Sequence, residues 1–247
     1  YVNFTVLNMV TMKKTIHKAE SRGFANHGWL QSYHTFSFAR YYNPERMNFG
    51  ALRVLNDDIV QPKMGFGTHP HKNMEIISVP ITGALSHKDS MENKRAIEVG
   101  EIQVMSAGTG ITHSEFNDSS TEETNFLQLW IIPDQDDVSP FYDQKKFDKS
   151  ERKNKLQPIV SPRSNPIAGS LMVHQQAYLY LSDLDENKTI DYAVKNGAYF
   201  FLLDGEITIA DEILTNRDAI GVYDTDKVTI KANKKSKLLL IDVPILN

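Results

Sequence analysis

Two short clusters constrain this chain more than anything else in it. They are Gly67-Thr68-His69-Pro70-His71 and Gly108-Thr109-Gly110-Ile111-Thr112-His113-Ser114-Glu115. Side chains of an extended strand alternate faces, so His69 and His71 share a face of one strand, and His113 and Glu115 share a face of another. If the two strands lie side by side, three imidazoles and a carboxylate converge. Imidazole with carboxylate suits a divalent first-row metal, and four protein donors leave positions open on a mid-sized ion for substrate. One HxH triplet is a weak signal. A second pair, in the same setting of a Gly-containing turn before a strand, makes a shared metal site the reading of the chain. The residues alone leave the carboxylate open. Glu75 lies an even interval after His71, and in a regular strand it shares the imidazole face.

The absence of cysteine removes disulfides and thiolate ligands together, leaving His and carboxylate as the metal chemistry available. Hydrophobic residues make up 40% and charged residues 23%, with a net charge of -4, so nothing in the charge favours nucleic acid or a membrane surface. No run of eighteen apolar residues occurs and the opening residues lack a signal-peptide pattern. The expectation is a cytoplasmic protein, acting as a monomer, whose partners are small molecules or another protein. The opening Tyr1 suggests a true start elsewhere, at Met12.

Short strand-like runs separated by Gly and Asp turns fill the chain, and helical periodicity is scarce, which predicts an all-β sandwich or barrel. Candidate strands are 51–55, 74–79, 97–99, 102–105 and 126–132. A polar stretch follows, and then 178–181, 198–203, 207–209 and 237–241 repeat the rhythm. Residues 79–83 and 202–205 both run from an apolar strand into a Gly turn, and 99–101 resemble 217–221. The chain is therefore read as a degenerate internal repeat, with an amino-terminal metal-binding domain at 12–135, a linker or lid at 136–155 and a carboxy-terminal domain at 156–247. Residues 136–247 hold only His174, so the second domain cannot rebuild a three-imidazole site.

The local wording resembles the pirin-like proteins of the cupin superfamily. The resemblance rests on His34-Thr35-Phe36-Ser37-Phe38-Ala39, on Phe66 through Glu75, on Glu92-Asn93 ahead of Gly100-Glu101-Ile102-Gln103, on Met105 through Glu115, and on Leu127-Gln128-Leu129-Trp130. It implies two β-barrels, a bicupin whose second barrel is degenerate and without metal. It also implies one metal per chain, iron first, with manganese, nickel, copper, cobalt or zinc also compatible, held by His69, His71, His113 and Glu115. Glu75 then becomes a candidate proton carrier or a support for a ligand beside the metal, the alternative being a strand carboxylate paired with Lys72. The implied activity is cleavage of flavonols such as quercetin by dioxygen, with Glu115 or Glu75 taking the hydroxyl proton. The runner-up is a metal-dependent regulator that binds a protein partner without turnover, followed by a cupin with another small-molecule reaction. Phe66, Met105 and Phe116 are candidate walls for a flat aromatic substrate. His87 and Gln128 can border the pocket, while His17, His27 and His34 are not first-choice ligands. On strand 126–131 the residues Leu127, Leu129 and Ile131 form one face and Phe126, Gln128 and Trp130 the other, with nothing local to say which meets the metal.

Overall fold

The computed structural model describes residues 11–246; residues 1–6, on which the reading of the start rests, lie outside them. In the first part of the chain the strands are β1 (Lys13–His17), β2 (Gly23–Asn26), β3 (Leu30–His34), β4 (Leu52–Val60), β5 (Gly65–His71), β6 (Glu75–Thr82), β7 (Ala84–Asp89), β8 (Lys94–Glu98), β9 (Glu101–Ser106), β10 (Ile111–Asn117), β11 (Thr124–Ile131) and β12 (Phe141–Lys146). The second part adds β13 (Gln157–Pro162), β14 (Leu171–Val173), β15 (Tyr178–Leu184), β16 (Thr189–Ala193), β17 (Gly197–Asp204), β18 (Glu206–Ile209), β19 (Glu212–Thr215), β20 (Ala219–Tyr223), β21 (Lys227–Ala232) and β22 (Ser236–Val243). No α-helix occurs among the described residues, and none is long and apolar enough to cross a membrane. The expected all-β bicupin is what the chain forms.

Each barrel pairs a seven-stranded sheet with a four-stranded one. The first uses β12-β9-β6-β11-β4-β3-β2 and β5-β10-β7-β8; the second uses β1-β20-β17-β22-β15-β13-β14 and β16-β21-β18-β19. The small sheets and the five inner strands of the large sheets match in order, while the outer strands differ, β2 pairing antiparallel with β3 and β14 parallel with β13, so the repeat read from the Gly turns is architectural. Gly83 ends β6 and Gly205 ends β17, both with positive φ (72° and 101°), at equivalent corners.

The large sheets pack face to face. Ile77, Val79, Ile102, Val104, Leu127, Leu129 and Ile131 from the first meet Leu179, Leu181, Tyr199, Phe201, Leu239 and Ile241 from the second in one buried cluster. At about 1.5–3 kcal/mol for each large apolar side chain removed from water, this seam is a dominant stabilising contact. Phe49, from the loop before β4, reaches across it. A Cβ on Gly221 would sit 2.3 Å from the Phe49 ring, so only glycine lets the loop of one barrel lie on the strand of the other.

Two segments depart from the sequence-based boundaries. Within 136–155, read as a linker, Phe141–Lys146 form β12 and pair with β9; few of its residues are apolar because it is an edge strand with one side in water. Lys13–His17, read as part of the first domain, pair with β20 of the second barrel, where β1 fills the place that β12 fills in the first. His17 is buried there, its Nδ1 2.8 Å from the Tyr199 hydroxyl.

Because the seam belongs to both barrels, Leu129→Ala, at a position with 0% exposure, should lower unfolding free energy by about 2–5 kcal/mol. Urea denaturation followed by circular dichroism should show one transition moved to lower denaturant. Two separated transitions in the wild-type protein would mean that the barrels are not coupled in this way.

Candidate metal centre

Strand β5 is an edge strand of the small sheet, which lets Pro70 sit in it without losing a ladder donor. It pairs antiparallel with β10 so that His113 lies opposite His69 and Ile111 opposite His71. Alternation turns His69 and His71 from one strand, and His113 and Glu115 from the other, toward the lumen. Between His113 and Glu115 the register slips, and Glu115 faces Phe66 where a regular ladder would offer Gly67. This bulge swings the Phe66 ring inward. Gly65 allows the approach: a Cβ there would lie 2.2 Å from the Glu115 carbonyl oxygen.

His69, His71 and His113 each offer a ring nitrogen within 4.8 Å of the other two. Ring centroids are 4.4 Å apart for His69 and His113 and 4.8 Å for the other two pairs. His69 Nδ1 lies 2.8 Å from the Gly67 carbonyl oxygen. A carbonyl only accepts, so this nitrogen carries the proton and Nε2 keeps its lone pair for a metal. His113 is 1% exposed and neither of its ring nitrogens has a partner, an arrangement that costs free energy unless another group uses them. Burial, with His69 and His71 beside it, pushes the His113 imidazole down to about 2; burial and His69 push His71 down to about 4. Both rings are neutral donors at physiological pH, as ligation requires.

Glu115 is 2% exposed and joins a second cluster with His113 and His87, again within 4.8 Å. Burial pushes its carboxyl up to about 7, opposed by a hydrogen bond from Ser78 Oγ (3.3 Å) and one from Gln128 Nε2 (2.9 Å), and reinforced by the charge of Asp58. His87 is closer to the centre than the sequence suggested. Its Nε2 donates to Asp89 at 3.0 Å, its Nδ1 is buried without a partner, and its ring lies 5.4 Å from that of His113.

Glu75 is a correction. Its carboxylate accepts from Ser106 Oγ (2.6 Å) and from the backbone N–H of His174 (3.2 Å), which places it at the seam between the barrels. The even interval from His71 misleads because β5 ends at His71. Asn73 then turns with φ 48°, and β6 starts afresh at Glu75 with the parity of Ile77 and Val79. On β11 the open question of faces is settled: Leu127, Leu129 and Ile131 meet the second barrel, while Gln128 and Trp130 face the lumen, with Trp130 edge-on to His71 at 5.0 Å.

A cavity of about 680 Å³ opens beside the imidazoles, walled by Phe24, Trp29, Phe38, Tyr41, Phe66 and Trp130, with His69, Glu115 and Gln128 also on its surface. Of the expected walls only Phe66 lines it. Met105 is buried in a cluster with Ile76 and Ile111, and Phe116, one step past Glu115, points outward and is 39% exposed. Sequence reasoning missed the polar residues of this cavity, Ser32, Asn56 and Asp58, and assigned His34 to sheet packing alone. A signal was present: Asn56-Asp57-Asp58 interrupts an apolar strand, and all three are buried.

In the second barrel, β16 and β21 take the places of β5 and β10 and present Ile190, Tyr192, Val228 and Ile230. Its lumen is packed with apolar side chains, and among the described residues no group of three His, Cys, Asp or Glu side chains gathers there.

Residues 15–131 match the family model described as Pirin, and residues 159–243 match the one described as Quercetinase C-terminal cupin domain. A curated relative from Escherichia coli strain K12, named quercetin 2,3-dioxygenase, is 44% identical over 231 residues, covering 93% of this chain and 98% of that protein. A pirin-like protein of Caulobacter vibrioides is 39% identical over 222 residues, covering 89% and 95%. The crystal structure of the bacterial pirin YhhW from Escherichia coli in complex with nickel(II) has a TM-score of 0.89 at 41% identity, covering 95% of this chain and 100% of that one. Because the similarity runs through both barrels and nearly the whole length of each relative, the chain belongs to the pirin family of two-barrel cupins.

Proposed function

We propose that this chain holds one divalent first-row transition metal at His69, His71, His113 and Glu115 and cleaves flavonols such as quercetin with dioxygen. The observation that carries the reading is His113, buried between two other imidazoles with both ring nitrogens unpartnered, next to His69 and Glu115, which line a cavity walled by aromatic rings. The name quercetin 2,3-dioxygenase of the Escherichia coli relative supports the substrate class, and the nickel(II) complex of YhhW supports a metal in this barrel. Nickel and iron both suit three imidazoles and a carboxylate.

When bound, the ion supplies Lewis acidity toward a substrate hydroxyl. The chain does the rest. Trp29, Phe66 and Trp130 give a flat ring system apolar faces to stack on. Gln128 and Ser78 fix the Glu115 carboxylate in one orientation, where it serves the site both as donor and as acceptor for the substrate's hydroxyl proton. Glu75, on the far side of the sheet, takes no part.

Elemental analysis of protein purified without added metal should find one equivalent per chain. His69→Ala, His71→Ala or His113→Ala should lower the content sharply with the β-type circular dichroism spectrum retained. Glu115→Gln should weaken metal binding by about 10–100-fold, and Glu75→Gln should leave it unchanged. Metal lost from the Glu75 variant and kept by the Glu115 variant would reverse the assignment.

The metallated protein should consume dioxygen with quercetin in an oxygen electrode, and removal of the metal by a chelator should abolish the uptake. A fully metallated protein that leaves quercetin and related flavonols untouched sinks the dioxygenase reading and favours the protein-binding one.

A further inference from the structure

Opposite the imidazoles, the same cavity carries a second polar surface on the large sheet. Ser32 and His34 on β3 lie directly across from Asp58 and Asn56 on β4, all four within 4% exposure and all lining the cavity. Ser32 Oγ donates to Asp58 Oδ1, while Asp58 Oδ2 has no donor among the described residues. Asp58 also has no ion-pair partner among the described residues. Its neighbour Asp57 takes both Arg22 and Arg217. The second Asp58 oxygen is not sealed off in the sheet and opens to the cavity, where a ligand hydroxyl can replace water as its donor. Burial pushes this carboxyl up to about 7. His34 Nδ1 is 3.0 Å from Asn56 Oδ1. An amide oxygen accepts, so Nδ1 carries the proton and Nε2 is left as a second acceptor.

The two surfaces are linked. His34, Asn56, Gln128 and Ser78 follow one another in register across β3, β4, β11 and β6, and Gln128 ends on Glu115. Gln128 and His34 are two strands apart, about 10 Å at the ordinary strand spacing. A ligand with one ring at the metal side and a second ring further along the row is of the right size.

We infer that Asp58 and His34, positioned by Ser32 and Asn56, form a subsite that accepts hydrogen bonds from vicinal hydroxyls on the distal aromatic ring of the substrate, and so select catechol-bearing substrates. This rests on the flavonol reading above. Two acceptors facing one end of an aromatic slot match two phenolic donors, and the one guanidinium on the cavity wall, Arg40, forms no ion pair with Asp58 among the described residues.

The test reads binding without turnover, through quenching of tryptophan fluorescence in the metallated protein, since Trp29 and Trp130 line the cavity. The probes are quercetin, with two hydroxyls on its single ring, and galangin, with none. The wild-type protein should bind quercetin about tenfold more tightly, the worth of one hydrogen bond to a charged group. Asp58→Asn and His34→Phe, with metal content and circular dichroism as for the wild type, should each bring that ratio close to one, mainly by weakening quercetin. Equal affinities in the wild-type protein overturn the inference without any variant needing to fold. A ratio that survives in both folded variants overturns it as well. If neither flavonol binds the wild-type protein, the flavonol reading falls and the subsite with it. Binding with the expected ratio but no oxygen uptake removes only the dioxygenase chemistry.

Discussion

The structure depends on the division of its large amino-terminal sheet into two unlike faces. Along β6 and β11, Ile77, Val79, Leu127, Leu129 and Ile131 turn outward to the second barrel, and Ser78, Gln128 and Trp130 turn inward to the lumen. Strand alternation makes this split unavoidable once one face is buried against a partner. The apolar face pays for the polar one. A lumen holding Glu115, His87, His113, Gln103 and Asp58 is expensive to bury, and the seam with the second barrel supplies the apolar contact that keeps such a sheet folded.

The second barrel shows what the same topology becomes without that polar lumen. Its inner strands follow the same order, its Gly205 corner repeats Gly83, and Tyr192, Val228 and Ile230 fill the space where imidazoles stand in the first barrel. One barrel is packed to be stable and the other is hollowed to be used. Each also receives an edge strand from a region outside its own repeat, β1 for the second and β12 for the first. The chain closes its edges this way, with two polar strands that would otherwise hang free.

Of the buried side-chain atoms without partners among the described residues, those on Thr35, Gln157, Ser182 and Arg217 are dispersed, and the others gather around the centre. Both nitrogens of His113, Nδ1 of His87 and the amide of Gln103 are buried without partners, all on the lumen side. Native proteins leave few such groups, so a cluster of them marks a place built to receive something. The hydrogen bonds that are made have a common effect: Gly67 sets the tautomer of His69, Asp89 sets that of His87, and Gln128 and Ser78 hold Glu115. They orient donors toward the space between them.

Local pattern determined much of this. The HxH and HxE pairs, the strand rhythm, the repeat and the lone His174 of the second half were legible because alternation and turn chemistry are properties of a few consecutive residues. Parity carries through a strand and stops at its end. That is why His69 and His71 were placed correctly relative to each other while Glu75, beyond the turn at Asn73, went to the opposite face. Which face of β11 meets the centre, the bulge that turns Phe66 inward, the pairing of β1 with the second barrel and of β12 with the first, and the gathering of Ser32, His34, Asn56 and Asp58 on one cavity wall are decisions of the tertiary structure. Each depends on register between strands distant in the chain, and register is set by the packing of two sheets rather than by any residue's neighbours in sequence.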